Sequence, residues 1–281
     1  MSRKYFSAKP PVIGALLILG LLGIVWLYGC QMQTREIEKK VPGKIDKIKK
    51  AGKIIVGTSA DYPPYEFRLL PDMEDAIVGI DIDIAEAIAA DLNVKLEIKN
   101  VVFHELFNEL TSGNIDLILA GLAPSHARQK IVDFSIPYYQ AIQNMLIRAK
   151  DKDGIKVLED LRGKIIGTQT GSIQEDMARN TIIGATFVSV PTIQKLIAAL
   201  ASKELDAVIL EKPVADAYVF KNSELLNLEC NSDRTPLGSA VAVRKGDADL
   251  LIRINQILDK LIKDNRINQF AEDAKVFAKK I

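Results

Sequence analysis

In "AGLAPSHARQKIVDFSIPYY", residues 120–139, a turn of small residues leads into Arg128 and then into Phe-Ser-x-Pro-Tyr-Tyr. One histidine, one aspartate and no cysteine offer little for acid–base or nucleophilic work, so the guanidinium is the group to explain. An arginine fork matches a carboxylate in bidentate geometry. Gly121 and Ala123 keep bulk away from the turn, leaving backbone N–H groups beside Arg128. The competing use of Arg128 is a structural ion pair, for instance with Asp133.

Three other stretches carry candidate chemistry. In "GTQTGSIQED" (167–176), Ser172 and Glu175 have capping-box spacing, so a helix starts there. Its first N–H groups, on Ser172, Ile173 and Gln174, suit an anion, or merely receive a cap. In "ADYPPYEF" (60–67), paired prolines stiffen a loop that holds Tyr62 as a stacking wall. Tyr65 and Phe67 serve equally well as core. Glu211 ends "LDAVIL" and is placed to hold an ammonium group or to cap Lys212.

Much chemistry is missing. No Gly-x-Gly-x-x-Gly follows a strand, and there is no Walker loop or Gly-x-Ser-x-Gly elbow. The two histidines, His104 and His126, have no metal spacing. The expectation is a binding protein without catalytic residues, metal or cofactor.

The elements that must position these residues alternate between strand and helix. "KIIVGTS" (53–59) is a short apolar run, and "IDIDIAEAIAADLN" (80–93) sets Ile84, Ala85, Ile88, Ala89 and Leu92 on one helical face before Asn93 stops it. "KLEIKNV" (95–101) alternates as a strand, "LFNELTSGN" is helical, and "IDLILAG" (115–121) reads as a buried strand. Such order implies an α/β fold with a mostly parallel sheet. The carboxyl ends of such strands are where ligands bind.

The pattern then returns. "GKIIVGT" (52–58) reappears as "GKIIGTQ" (163–169), and "LFNELTSGNIDLILA" (106–120) as "LIAALASKELDAVIL" (196–210). Leu106/Leu196, Leu110/Leu200, Ser112/Ser202 and Asp116/Asp206 fall in register. Two lobes of similar build are expected, the first over 51–142 completed by 238–281, the second over 143–237. A further strand is predicted near 236–245, then helices over 247–263 and from about Ile267.

The 281 residues are 48% hydrophobic and 26% charged, a globular composition. Residues 1–29 carry three basic residues and no acid; without them 34 basic residues face 36 acidic ones. That balance gives no reason to expect nucleic acid as a partner. Arg3, Lys4 and Lys9 precede an apolar run from Val12 to Tyr28 and then Gly29-Cys30, the layout of an export signal or a membrane anchor. "LYGC" resembles a bacterial lipoprotein box, with Tyr28 its departure, which implies lipid on Cys30; a retained helix is the alternative. Both put the rest outside the cytoplasmic membrane, on a linker over 30–50 that becomes a short helix near Lys44 to Lys50. Cys230 then has no partner and reads as inert.

Together, "GTSADYPPYEF", "VGIDIDIAEAIA", "IDLILAGLAPSHARQKIVDFSIPYY", "IIGTQTGSIQED" and "LDAVILEKPVADAY" resemble the extracellular solute-binding protein family 3, the polar amino-acid receptors of bacterial ABC importers. The resemblance runs from about residue 50 to the end. It implies the type II periplasmic binding protein fold: two α/β lobes joined by two hinge strands, closing on one amino acid for a membrane permease. A monomer is expected. By resemblance, Arg128 grips the ligand α-carboxylate, helped by Ala120, Gly121, Ser172 and Ile173. Glu211 pairs with the α-ammonium, Tyr62 and Phe103 wall the side chain, and Gln169 belongs to the contacting set. Ser59 stands where many cationic-ligand receptors carry aspartate, and Ala123 where a serine or threonine hydroxyl is usual. Arginine, glutamine and similar ligands stay open. The same scaffold also serves as a sensor ectodomain or a cyclohexadienyl dehydratase, and these are the alternatives.

Overall fold

The computed structural model describes residues 42–69, 76–230 and 238–279. The export signal and Cys30 lie outside them. The chain enters through helix α1 (Lys44–Ala51), closed by Gly52 in the left-handed region. Strand β1 (Lys53–Thr58) follows, then a small antiparallel sheet of β2 (Asp61–Tyr62), β3 (Glu66–Arg68) and β4 (Ile77–Val78).

Helix α2 (Ile80–Leu92) buries Ile84, Ala85, Ile88, Ala89 and Leu92, and Asn93 ends it at φ 56°. Strand β5 (Lys95–Asn100), helix α3 (Leu106–Thr111), strand β6 (Leu117–Ile118), helix α4 (His126–Gln129) and strand β7 (Val132–Phe134) complete the first pass. The strand expected over 115–121 is confined to two residues. Ile115 and Leu119 are buried as expected, but Gly121 turns the chain at φ 54°.

The second lobe holds β8 (Gln143–Arg148), β9 (Ile165–Gln169), α5 (Ile173–Thr181), β10 (Thr186–Val190) and α6 (Ile193–Ala201). It ends with β11 (Ala207–Glu211), α7 (Lys212–Lys221) and β12 (Leu225–Glu229). The chain then returns to the first lobe as β13 (Ala242–Arg244), α8 (Ala248–Lys263) and α9 (Arg266–Ala278). Tyr139 and Ser239 form an antiparallel bridge where the outgoing and returning segments run side by side. Among the described residues no helix is long and apolar enough to cross a membrane.

The two sheets share one plan. Their strand orders are β5-β1-β6-β13-β7 and β10-β9-β11-β8-β12, and in each the fourth strand runs antiparallel to both its neighbours while the first three are parallel. The internal repeat extends to single atoms. Asp116 accepts from the Ile55 N–H at 2.8 Å, and Asp206 accepts from the Ile165 N–H at 2.9 Å. Arg244 donates to the Leu110 and Ile115 carbonyls, and Arg148 to those of Leu200 and Leu205, so each lobe clamps its helix–strand turn with an arginine.

Gly57 and Gly167 are a third matched pair. A Cβ on Gly57 would lie 2.3 Å from Ile115, and one on Gly167 would lie 2.4 Å from Leu205. These close approaches let a helix settle on the centre of each sheet. Overpacking such a site costs roughly 1–3 kcal/mol. Gly57→Val and Gly167→Val are each expected to lower Tm, by about 2–4 °C per kcal/mol in a unit of this size. Scanning calorimetry of both variants checks this; a loss at one site only would break the equivalence of the lobes.

Candidate functional site

A cavity opens on the seam between the lobes. The first lobe lines it with Ser59, Asp61, Tyr62 and Glu66, with Phe103, with the 120–123 turn and with Arg128. The second contributes Gln169, Ser172, Ile173 and Gln174. Of the residues expected to contact a ligand, Ser59, Tyr62, Phe103, Ala120, Gly121, Ala123, Arg128, Gln169, Ser172 and Ile173 come together here, and Glu211 does not reach the lining. Most of these positions lie at or just beyond the carboxyl ends of β1, β5, β6 and β9, as expected for an open α/β sheet.

Arg128 owes its place to a short helix. The Ser125 hydroxyl caps α4 by accepting from the Arg128 N–H at 3.2 Å. The guanidinium donates to the Ala123 carbonyl at 2.6 Å and, across the seam, to the Gly171 carbonyl at 2.9 Å. It also lies 5.5 Å from the ring centres of Phe103 and of Phe107, within cation–π range. Phe103 therefore supports the guanidinium as well as lining the cavity. Burial pulls the Arg128 pKa down to about 10, so the group stays cationic at neutral pH. Asp133 is no partner to it, being paired with Lys245 at 3.0 Å.

Two expected anion-binding N–H groups are already used. The Gly121 N–H donates to Asp81 at 2.8 Å, so it holds the turn against α2. Its positive φ has a purpose here, because a Cβ on Gly121 would stand 2.9 Å from the Tyr62 ring. The Ser172 N–H donates to the Gln169 carbonyl at 3.1 Å. The capping box is also displaced by one residue. Ser172 accepts from the Glu175 N–H at 3.1 Å, but the Glu175 carboxylate returns to the Gly171 N–H at 3.0 Å. Gly171, at φ 76°, reverses the chain and turns its own N–H toward Glu175. Ile173 and Gln174 are left to present the helix start to the cavity.

Four carboxyl groups gather around the aromatic loop. Glu211, 4% exposed, accepts from the Tyr65 hydroxyl at 2.5 Å, and burial lifts its pKa to about 7. Tyr65 stacks on Tyr62 at 5.6 Å. Asp81 accepts from the Tyr138 hydroxyl at 2.7 Å as well as from Gly121, and burial lifts it to about 6. Asp61 accepts from the Ile193 N–H at 2.8 Å and is likewise raised to about 6 by burial. Glu66 is fully buried, and neither carboxylate oxygen has a hydrogen-bond partner. Burial drives its pKa well above the usual carboxylate range, and neighbouring Asp81 adds to the shift.

Asp61 and Glu66 escaped the sequence reading. Both sit inside "ADYPPYEF", where the aromatic residues stood out. The usable signal was register: Tyr62 pairs with Glu66 across the β2–β3 hairpin, so both residues occupy one face. Cys230 is buried and free, its thiol pushed up to about 12, consistent with an inert role. Among the described residues no group of three His, Cys, Asp or Glu side chains is placed to hold a metal ion.

Residues 54–274 match the model of bacterial extracellular solute-binding proteins, family 3. The chain belongs to that family. Its members' two-lobed, type II architecture accounts for the paired sheets and the two crossing segments. The arginine-binding extracellular protein ArtP of Bacillus subtilis is 37% identical over 216 residues, covering 76% of this chain and 82% of ArtP. An amino acid ABC transporter substrate-binding protein of Streptococcus pneumoniae, AbpA, bound to L-arginine, superposes with a TM-score of 0.80 at 34% identity, over 83% of this chain and 98% of AbpA. The ancestral amino acid-binding protein AncCDT-1, described as a precursor of cyclohexadienyl dehydratase, aligns with a TM-score of 0.75 at 29% identity, over 83% of this chain and 99% of its own.

One contact at the seam belongs to closure itself. Thr192 gives α6 no side-chain cap, and Asp61 of the other lobe occupies that position through the Ile193 N–H. Tyr218 of α7 reinforces the contact by donating to the Asp61 carbonyl at 3.0 Å. Loss of an N-cap costs about 1 kcal/mol. Asp61→Ala and Tyr218→Phe are therefore each expected to lower the closed fraction of ligand-free protein. Small-angle scattering or a fluorophore pair across the seam reads this directly, and an unchanged closed fraction in both variants would refute the latch.

Proposed function

We propose that this chain is the extracytoplasmic receptor of an ABC importer, and that it closes on a polar amino acid with a cationic side chain, arginine foremost. The lobes divide at 51–142 with 238–281, and at 143–237. A lipid on Cys30 or a retained N-terminal helix tethers the monomer beside its permease, and the ATPase lies on another chain.

The observation that carries the ligand class is a cation and an unanswered acid lining one cavity. Arg128 and a fully buried Glu66, whose carboxylate oxygens have no hydrogen-bond donor, line the same cavity. Arg128 receives the α-carboxylate, exchanging backbone carbonyls for a charged acceptor, with the α5 start at Ile173 and Gln174 beside it. Glu211, reached by a turn of the Tyr65 hydroxyl, takes the α-ammonium. Tyr62 and Phe103 flank the side chain, and its guanidinium ends at Glu66. Ser59, lacking the aspartate frequent in cationic-ligand receptors, leaves that charge to Glu66 and Asp61. The arginine named for ArtP and for the AbpA complex agrees with this reading.

Closure follows from the placement. The ligand touches both sets of groups only when the lobes meet, so its binding energy favours the closed state. Shifting a 99:1 open population to 1:99 takes about 5.5 kcal/mol. Hydrogen bonds to charged groups contribute roughly 1.5–3 kcal/mol each, so two to four of them suffice. Calorimetry against the twenty amino acids is expected to show tight binding of one equivalent of arginine. Arg128→Ala is expected to weaken it at least a hundredfold, because truncating one partner of a buried charge pair costs about 3–5 kcal/mol. Silence across the panel would overturn the receptor reading. The likeness to AncCDT-1 supports one rival, a dehydratase; it stands only if prephenate or arogenate is turned over.

A further inference from the structure

Glu66 and Asp81 form a buried carboxyl pair whose state has consequences for ligand choice. Asp81, also fully buried, is already supplied by the Tyr138 hydroxyl and the Gly121 N–H. The Glu66 carboxyl is its neighbour, and no N–H or O–H donor reaches either Glu66 oxygen. A buried carboxylate without a donor is strongly disfavoured, so Glu66 holds its proton. Asp61, from the same hairpin, and Glu211, from β11, add negative charge beside Glu66. The phenols of Tyr62, Tyr65 and Tyr138 are held neutral by burial. Arg128, the cation lining the same cavity, is committed to two backbone carbonyls.

We propose that the Glu66–Asp81 pair retains one proton until a cationic side chain enters, and that arginine capture expels it, exchanging one positive charge for another. This rests on the receptor reading above. The balance is simple: the O–H bond on Glu66 breaks, the proton leaves to solvent or buffer, and the incoming guanidinium donates to the carboxylate left behind. The cavity's net charge is unchanged by the exchange, so burial does not rise in electrostatic cost. Burial and Asp81 hold the Glu66 proton well above the usual carboxylate range, while a bound guanidinium would lower it. By linkage, affinity for arginine rises with pH, up to tenfold per unit, while the free pair is protonated and the bound pair ionised. It levels off once the free pair is itself ionised. Citrulline, the uncharged isostere, leaves the proton in place, where it can donate to the urea oxygen.

The test is calorimetry of the full chain at pH 7 in phosphate and in Tris, whose ionisation heats differ, which counts protons released per ligand. Glu211 faces the α-ammonium of either ligand, so its contribution cancels between them. Arginine is expected to release about one proton more than citrulline, and Glu66→Gln to remove the difference. Should citrulline bind too weakly to titrate, the count for arginine in Glu66→Gln is the reference, expected to be about one proton lower than in wild type. Arginine binding with no proton released, or with the same count as its reference, would overturn the exchange and leave the receptor reading intact. Failure of arginine to bind wild-type protein would instead remove the reading on which the exchange rests.

Discussion

Arg128 is a buried guanidinium whose two terminal nitrogens reach carbonyls on different lobes, and the seam is organised around that fact. A buried charge without a partner is prohibitively unfavourable, so it must find acceptors wherever it is enclosed. Two phenylalanine rings lie 5.5 Å from it, Ser125 caps its helix, and the Ala123 and Gly171 carbonyls accept from it. The same rule acts in reverse on the acids opposite. Asp61 is answered by a helix N-terminus, Asp81 by two donors, Glu211 by a phenol, and Glu66 by no donor at all. The imbalance at Glu66 is the ground for the proposed preference for a cationic ligand.

The duplicated architecture explains why such a seam can both open and shut. Each lobe has its own mixed sheet, its own arginine-clamped turn and its own glycine under a packed helix. Hydrogen bonds cross the seam from Arg128 to Gly171, Ile193 to Asp61, Tyr65 to Glu211 and Tyr218 to Asp61. Beside them one apolar cluster runs from Ile54, Tyr62 and Tyr65 of the first lobe to Ile193, Leu196 and Leu210 of the second. A ligand satisfying the same groups more strongly tips the balance toward the closed form.

Much of this was legible in the sequence because it depends on local pattern. The Leu106/Leu196 register pointed to two similar lobes, and the Asp116/Asp206 match became the same hydrogen bond made twice. Helical stripes such as Ile84, Ile88 and Leu92 found their buried faces. Ten residues named by resemblance line the cavity, while the hydrogen bonds of some of them are set by the fold. Which N–H is free at Gly121 or Ser172 depends on a partner forty residues away or on one turn angle, and neither is written in spacing. Glu66 was hidden for a related reason: its importance arises from what surrounds it in space, above all Asp81 on another element.

The central claim is that one cavity reads both ends of a cationic amino acid, with opposite charges on opposite walls. A crystal structure of the protein grown with L-arginine tests it most directly. The account predicts the α-carboxylate on the Arg128 fork and the guanidinium within hydrogen-bonding distance of Glu66. A ligand bound the other way round, or seated with its guanidinium clear of Glu66, would contradict it.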